Sequence, residues 1–225
     1  MTLQHVDILF QLIAFLFAIS VHESAHAWMA NLRGDPTARM LGRITLNPIK
    51  HIDPIGTIVL PLIALLTHFP AFGWAKPTPV DPRNFKNPVL DDILTAVVGP
   101  ISNFTVAAAA TILLAMISLA VPGGRIIVQG AMSGFAVGNS LFVPAALLLY
   151  EFVLINVLLA VFNLIPVPPL DGSHVLRHFL SDRVRQIYDT VGIFALMALV
   201  FFGGNFLYAL IRPVLHIYTS VLMNI

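Results

Sequence analysis

The chain contains no cysteine, few charged residues and only two glutamates, and each scarcity closes off a class of protein. Without cysteine there is no disulfide framework and no thiolate metal site, so any metal must be held by histidine and carboxylate. Only 10% of the 225 residues are charged, against 58% hydrophobic, and mean hydropathy is +0.89. A soluble domain of this length needs charge over most of its exterior, which Lys+Arg 12 and Asp+Glu 11 cannot supply. The solvent for most of the surface is therefore lipid. A net charge of +1 with no concentrated basic face gives nucleic acid nothing to bind. The N-terminus carries neither a basic n-region nor a small-residue cleavage site, so Val6 onward reads as a retained span.

Apolar stretches long enough to cross roughly 30 Å of hydrocarbon run from Val6 to Leu32, Ile93 to Ala120, Leu141 to Ile165 and Val184 to Ile225. The last is too long for one crossing and breaks either at Gly203-Gly204 or at Arg212-Pro213. A sixth stretch, Ile55 to Trp74, carries Pro61, His68 and Pro70. If it crosses, Arg33, Arg39, Arg43, Lys50 and Arg125 fall on one side and Lys76, Arg83, Lys86, Arg177, Arg183 and Arg185 on the other, which leaves no orientation signal. If it dips in and returns, the basic residues of both flanks join Arg177, Arg183 and Arg185, with Arg125 alone opposite and Arg212 inside the last span. The positive-inside rule selects the second arrangement. It predicts an extracytoplasmic N-terminus. Gly34 to Pro54 and Ala75 to Asp92, rich in Pro, Asp, Asn and Arg, read as interfacial loops or short strands. The expected fold is an all-α polytopic membrane protein with about five transmembrane helices plus a re-entrant or β-hairpin-like segment around 55–80. Residues 1–225 form one domain, with a core over about 6–182 and C-terminal transmembrane helices over about 184–225.

Near the inner end of the first span stands His22-Glu23-Ser24-Ala25-His26. On a helix, positions i and i+4 share a face, so both imidazoles reach one ion while Glu23 stands beside it. Two neutral imidazoles suit zinc, and the carboxylate can take a proton from the water that zinc activates. Random placement of eight histidines and two glutamates yields about 0.003 such motifs. The plainer alternative is a pair of interfacial histidines at a helix end. Depth argues against it: if Gly34 ends the helix, His26 lies ~12 Å inside that end, where ionisable groups are functional by default.

A catalytic zinc site needs a third protein ligand and an open position. Asp171 is the candidate, in Asn163-Leu164-Ile165-Pro166-Val167-Pro168-Pro169-Leu170-Asp171-Gly172, where three prolines prevent helix and Gly172 allows a tight turn. Its plainer role is an ordinary helix cap. Counting crossings brings Asp171 out on the same side as His22 and His26 only if Ile55 to Trp74 does not cross. The metal ligands and the basic residues thus choose one topology independently.

His22 to His26, together with the N-x-x-P-x-P-x-L-D-G pattern of Asn163 to Gly172, resembles the site-2 proteases, intramembrane zinc metalloproteases. Gly99-Pro100-Ile101-Ser102-Asn103 is similar to a third family element, G-P-x-x-N. The resemblance spans about Phe10 to Leu180 and implies that His22, His26 and Asp171 bind one Zn2+ per chain, with Glu23 as the catalytic acid and base. It implies that Asn163 and Asn103 line the active site, Asn163 donating to the oxygen of the scissile carbonyl. Interhelical hydrogen bonding is the other reading of both amides. The expected activity is hydrolysis of peptide bonds in or near transmembrane segments of membrane-protein substrates. Many members append a PDZ domain or a CBS pair. This chain resembles the minimal form, so any sensing comes from a membrane partner or from a first cut made in the substrate by another protease. A substrate helix would enter from the bilayer, unwind, and add as a strand beside Arg43 to Leu46 or Ala75 to Val80.

The competing class is a metal transporter or scaffold, which needs neither Glu23 nor an open coordination position. His174 and His178 also stand at i and i+4. With Arg177 between them and no carboxylate in view they read as an interfacial helix. Glu151, deep in the third span, must pair or stay protonated. Phe194, Phe201 and Phe206 read as lipid-facing or packing residues.

Overall fold

The computed structural model describes residues 3–59, 63, 74–138 and 140–225. The helices are α1 (Leu3–Arg33), α2 (Thr37–Met40), α3 (Pro88–Ala120), α4 (Gly124–Met132), α5 (Phe142–Asn163), α6 (Asp171–Arg177), α7 (Asp182–Phe202) and α8 (Gly204–Met223). Among the described residues there is no strand. Five helices, α1, α3, α5, α7 and α8, are long and apolar enough to cross a membrane. Their large side chains, including Ile8, Leu12, Ile112, Phe194, Phe201 and Phe206, are exposed, as a lipid solvent allows. The chain is a multi-pass membrane protein.

Much of what these helices bury completely is alanine. Ala14, Ala18, Ala27 and Ala30 of α1 have no exposed surface, nor do Ala107 of α3 and Ala146 and Ala160 of α5. Lipid tails are as apolar as leucine, so burying leucine against leucine gains little. Alanine instead lets helix backbones approach and collect dispersion.

Helix ends depart from the apolar runs where capping, not hydropathy, sets them. The helix α3 begins at Pro88, five residues before the apolar run. Proline in the first turn lacks an N–H that would be unpaired anyway, and the carboxylate of Asp91 accepts from the Asn87 backbone N–H at 2.8 Å. The long C-terminal stretch breaks at Gly203, where a Cβ would run into the Leu199 carbonyl; Pro213 stays inside α8. The amphipathic α4 is not signalled by any apolar run of spanning length.

Two compact units divide the chain. One comprises Met1–Ala18, Asn103–Ala160 and Ala209–Ile225. In it Asn103 donates to the Asn156 side-chain oxygen at 2.8 Å and to the Ala18 carbonyl at 3.3 Å. Phe17 meets Phe152 edge to face at 5.2 Å. Glu151 pairs with the Gln11 side chain, which meets the expectation that it cannot stay alone in the span.

The other unit comprises Ile19–Ser102 and Val161–Tyr208. Arg33, the last residue of α1, holds Asp91 of α3 through Nε and Nη2, both at 2.6 Å. Pro54–Val59 is a π-helical turn. Residues 74–80 form neither helix nor strand, and residues 60–62 and 64–73 of the expected re-entrant or hairpin-like segment lie outside the described residues. Its flanks nevertheless meet. The Trp74 N–H donates to the Gly56 carbonyl at 3.2 Å, and the Lys76 N–H to the His51 carbonyl at 2.8 Å. These bonds bring residues 51–56 and 74–76 together.

Asp35, fully buried just past α1, closes this loop system. It accepts from the Thr37 backbone N–H at 3.1 Å, the Asp81 N–H at 2.8 Å and the Asn84 amide at 2.8 Å. Burial pushes its carboxyl up, but the hydrogen bonds from Thr37, Asp81 and Asn84 outweigh it and hold Asp35 below the usual carboxylate range. Asp35→Ala orphans those donors and should cost about 1–3 kcal/mol, read as a lower unfolding midpoint in detergent. The stabilisation is complete above about pH 4, the unfolded carboxyl's range, and is lost as pH falls through the lowered folded value. Wild type and variant should therefore converge in acid.

Candidate active site

His22 and His26 lie one turn apart on α1, both buried, with ring centroids 4.6 Å apart and planes at 83°. The His26 Nδ1 lies 2.6 Å from the Thr95 carbonyl of α3, to which it donates. That bond assigns the proton to Nδ1 and leaves the Nε2 lone pair facing inward. The two Nε2 atoms are 3.0 Å apart. The space they occupy exists because residue 99 of α3 has no side chain. A Cβ there would collide with His26 and come within 2.7 Å of His22 Cε1. Pro100 follows inside α3 and, lacking an N–H, leaves one helical hydrogen bond unmade.

Asp171 arrives from a different direction. The Pro166–Pro169 segment cannot be helical, and it is gripped by α7. Pro168 sits where a Cβ on Gly192 would be, and the Tyr188 hydroxyl donates to the Pro166 carbonyl at 2.9 Å. Leu170 is extended (φ −70°, ψ 156°) and Asp171 opens α6. Gly172 is required because a Cβ would strike the Leu164 carbonyl. This places Asp171 Oδ2 3.1 Å from His22 Nε2 and Oδ1 3.4 Å from His26 Nε2. Burial pushes the Asp171 carboxyl up, yet His26 and His22 beside it outweigh burial and hold it well below the usual range. Its two oxygens face the two Nε2 atoms.

His22, His26 and Asp171 each offer one ligand atom within 4.8 Å of the others. Asp171 Oδ2 is buried with no hydrogen bond to satisfy it, despite its closeness to His22. Lone pairs converge there, and a cation between them would satisfy all three. The donor set, two imidazoles and a carboxylate, suits zinc.

Glu23 lies on the same helix, and its carboxylate is engaged. The backbone N–H and hydroxyl of Thr78 reach Oε2 at 2.8 and 2.7 Å, and the hydroxyl is also 3.0 Å from the Glu23 carbonyl. Behind Thr78 lie two buried groups. Arg43 donates to the carbonyls of Lys50, at 2.9 Å, and Lys76. His51 contacts the Thr45 carbonyl through Nε2 at 2.8 Å. Burial lowers both, pushing the Arg43 guanidinium and the His51 imidazole below their ordinary values.

The remaining predicted residues fall elsewhere. Asn163 is the last residue of α5, in the same unit as the ligands. Asn103 belongs to the other unit and makes the bonds to Ala18 and Asn156 given above. His174 and His178 do meet a carboxylate. Asp92 of α3 lies 3.2 Å from His174 Nδ1 and 2.8 Å from His178 Nε2, so it ties down the helix that Asp171 opens. Sequence reasoning missed Asp92, Thr95 and Thr78. Asp92, Thr95 and Gly99 fall at i, i+3 and i+7, one face of α3, which was a usable signal. Nothing local marks Thr78, which meets its partner across 55 residues.

Comparison with known proteins gives a consistent picture. Residues 10–202 match the model of peptidase family M50. Over 173 residues the chain is 36% identical to the Bacillus subtilis (strain 168) protein named "Putative zinc metalloprotease YwhC", covering 77% of this chain and 70% of that protein. No solved structure matches the chain. Two substitutions test the geometry without any assay of activity. Gly99→Ala, which displaces both imidazoles, and Asp92→Asn, which removes the charge that His174 of α6 and the following His178 face, should each weaken metal binding about 10–100-fold. Competition with a chromophoric chelator measures this.

Proposed function

Because the chain belongs to peptidase family M50, zinc metallopeptidases of the site-2 protease kind, we propose that it hydrolyses peptide bonds in or beside the transmembrane segments of membrane proteins. The observation that carries this reading is the convergence of His22, His26 and Asp171 beside Glu23, on a helix long and apolar enough to span the bilayer. One zinc per chain, held by those three residues, is the stoichiometry the cluster supports. Bound there, zinc would polarise the scissile carbonyl and make the attacking water more acidic.

The chain's own residues do the rest. Glu23 takes a proton from the attacking water and passes it to the departing amine nitrogen, so the products are one acid and one amine and the carboxylate is restored. Asn163 supplies a side-chain N–H for the carbonyl oxygen as its charge grows. Asn103 keeps α3 in register with α1 and α5 through its bonds to Ala18 and Asn156. The buried His26–Thr95 bond fixes the ring orientation, so no reorganisation is needed when substrate arrives.

The active site faces the cytoplasm and the N-terminus lies outside. Supporting this, ten of the twelve basic residues fall in 33–87 and 177–185. The pairing of Gly56 with Trp74 and of His51 with Lys76, which a single full crossing would hold roughly 30 Å apart, supports putting residues 34–53 and 74–87 on one side. Substrates are membrane proteins reached through the bilayer, and a membrane partner or a preceding cleavage supplies regulation.

Glu23→Gln should lower cleavage by about 10²–10⁴-fold while leaving the bound metal in place. Comparing membrane-protein fragments in cells with wild type and Glu23→Gln would reveal the substrate at the same time. Undiminished cleavage by the variant would overturn the assignment of Glu23.

A further inference from the structure

We propose that Thr78 is a positioning residue for Glu23, holding one carboxylate oxygen so that the other is presented to the attacking water. This rests on the reading of the chain as a peptidase with Glu23 as its acid and base.

The segment that carries Thr78 is built for holding. From Trp74 to Thr78 every second residue turns its backbone to the protein. The Trp74 N–H goes to the Gly56 carbonyl, the Lys76 N–H to the His51 carbonyl, and the Thr78 N–H to Glu23 Oε2. Arg43, only 5% exposed, adds a bond to the Lys76 carbonyl. That is the period of an extended chain, and its inward edge is fully used. The outward edge belongs to residues 75, 77 and 79, and Pro77 and Pro79 have no N–H to give. A substrate strand laid along that edge, one of the two expected places for it, would find carbonyl acceptors at 75, 77 and 79 but only the Ala75 N–H as a donor. The segment's inward contacts end on the base of the reaction.

Thr78 makes two separate contacts with Oε2, a backbone N–H at 2.8 Å and a hydroxyl at 2.7 Å. Among the described residues, Oε1 has no hydrogen-bond partner. The hydroxyl has a single proton and two acceptors in reach, Oε2 and the Glu23 carbonyl at 3.0 Å. Because that carbonyl belongs to the helix backbone, the hydroxyl references the carboxylate to α1 itself, the helix that also carries His22 and His26. Fixing a reacting group to the frame of its partners is how orientation accelerates a reaction, and a misplacement of about 1 Å costs about 100-fold.

The two-glutamate composition makes this directly measurable. Protein labelled with 13C at the glutamate δ-carbon has two carboxyl resonances, and Glu23→Gln identifies which belongs to residue 23. The experiment compares wild type, Thr78→Val and Thr78→Ser, purified with metal, for carboxyl shift, metal content and cleavage of one membrane-protein substrate. Thr78→Val keeps the backbone bond and shape and loses the hydroxyl. It should move the Glu23 resonance and leave that of Glu151 in place. It should also keep the metal content and lower kcat by about 10–100-fold with KM unchanged; Thr78→Ser should restore both shift and kcat. An unmoved Glu23 resonance, or a moved one with wild-type kcat, overturns the proposal. If wild type cleaves nothing, the peptidase reading falls and with it the positioning role, whereas a cleaving wild type with an unaffected Thr78→Val sinks the role of Thr78 alone.

Discussion

Gathering three lone-pair donors inside a mostly apolar molecule is the condition around which the surrounding unit is organised. Each such atom left unsatisfied in a low-dielectric interior costs several kcal/mol, roughly 1–3 at the least. A single face of α3 holds their carriers in place. Asp92 engages His174 of α6 and the following His178, Thr95 fixes the ring of His26, and Gly99 vacates the volume in which both imidazoles stand. Residues from α1 and α6, which share no sequence proximity, are thereby referred to one rigid element. Precision of this kind comes from helices more readily than from loops, because a helix fixes the spacing of its own contacts.

Packing by alanine makes such a template possible in lipid. Where Ala27 and Ala30 bring α1 close to its surroundings, a short side chain or a bare carbonyl can span the gap between helices. The 2.6 Å contact between His26 and the Thr95 carbonyl is of this type.

How much of the molecule is legible in its sequence follows the range of the interaction. His22, Glu23 and His26 are legible because one helical turn relates them, and Asp171 because proline and glycine confine its backbone. The break at Gly203 and the number of long apolar helices are legible for the same local reason. Helix ends are less so: α3 begins at Pro88 because of a capping carboxylate, which hydropathy does not register. The carboxylate facing His174 and His178 shares a helix face with Thr95 and Gly99, but its partners, 82 and 86 residues away, are not legible locally. Thr78 is the extreme case. A threonine between two prolines in an interfacial loop carries no mark of function until the fold sets it on Glu23.

The pairing of Gly56 with Trp74, and of His51 with Lys76, has a consequence for how this protein can vary. Arg43 braces the same place by bonding carbonyls on both sides of it, those of Lys50 and Lys76. Together these contacts form a closed stem, and the geometry at Thr78 and Glu23 is set below it. A substitution at His51, Arg43 or Lys76 would therefore be felt two residues on, where Thr78 meets Glu23.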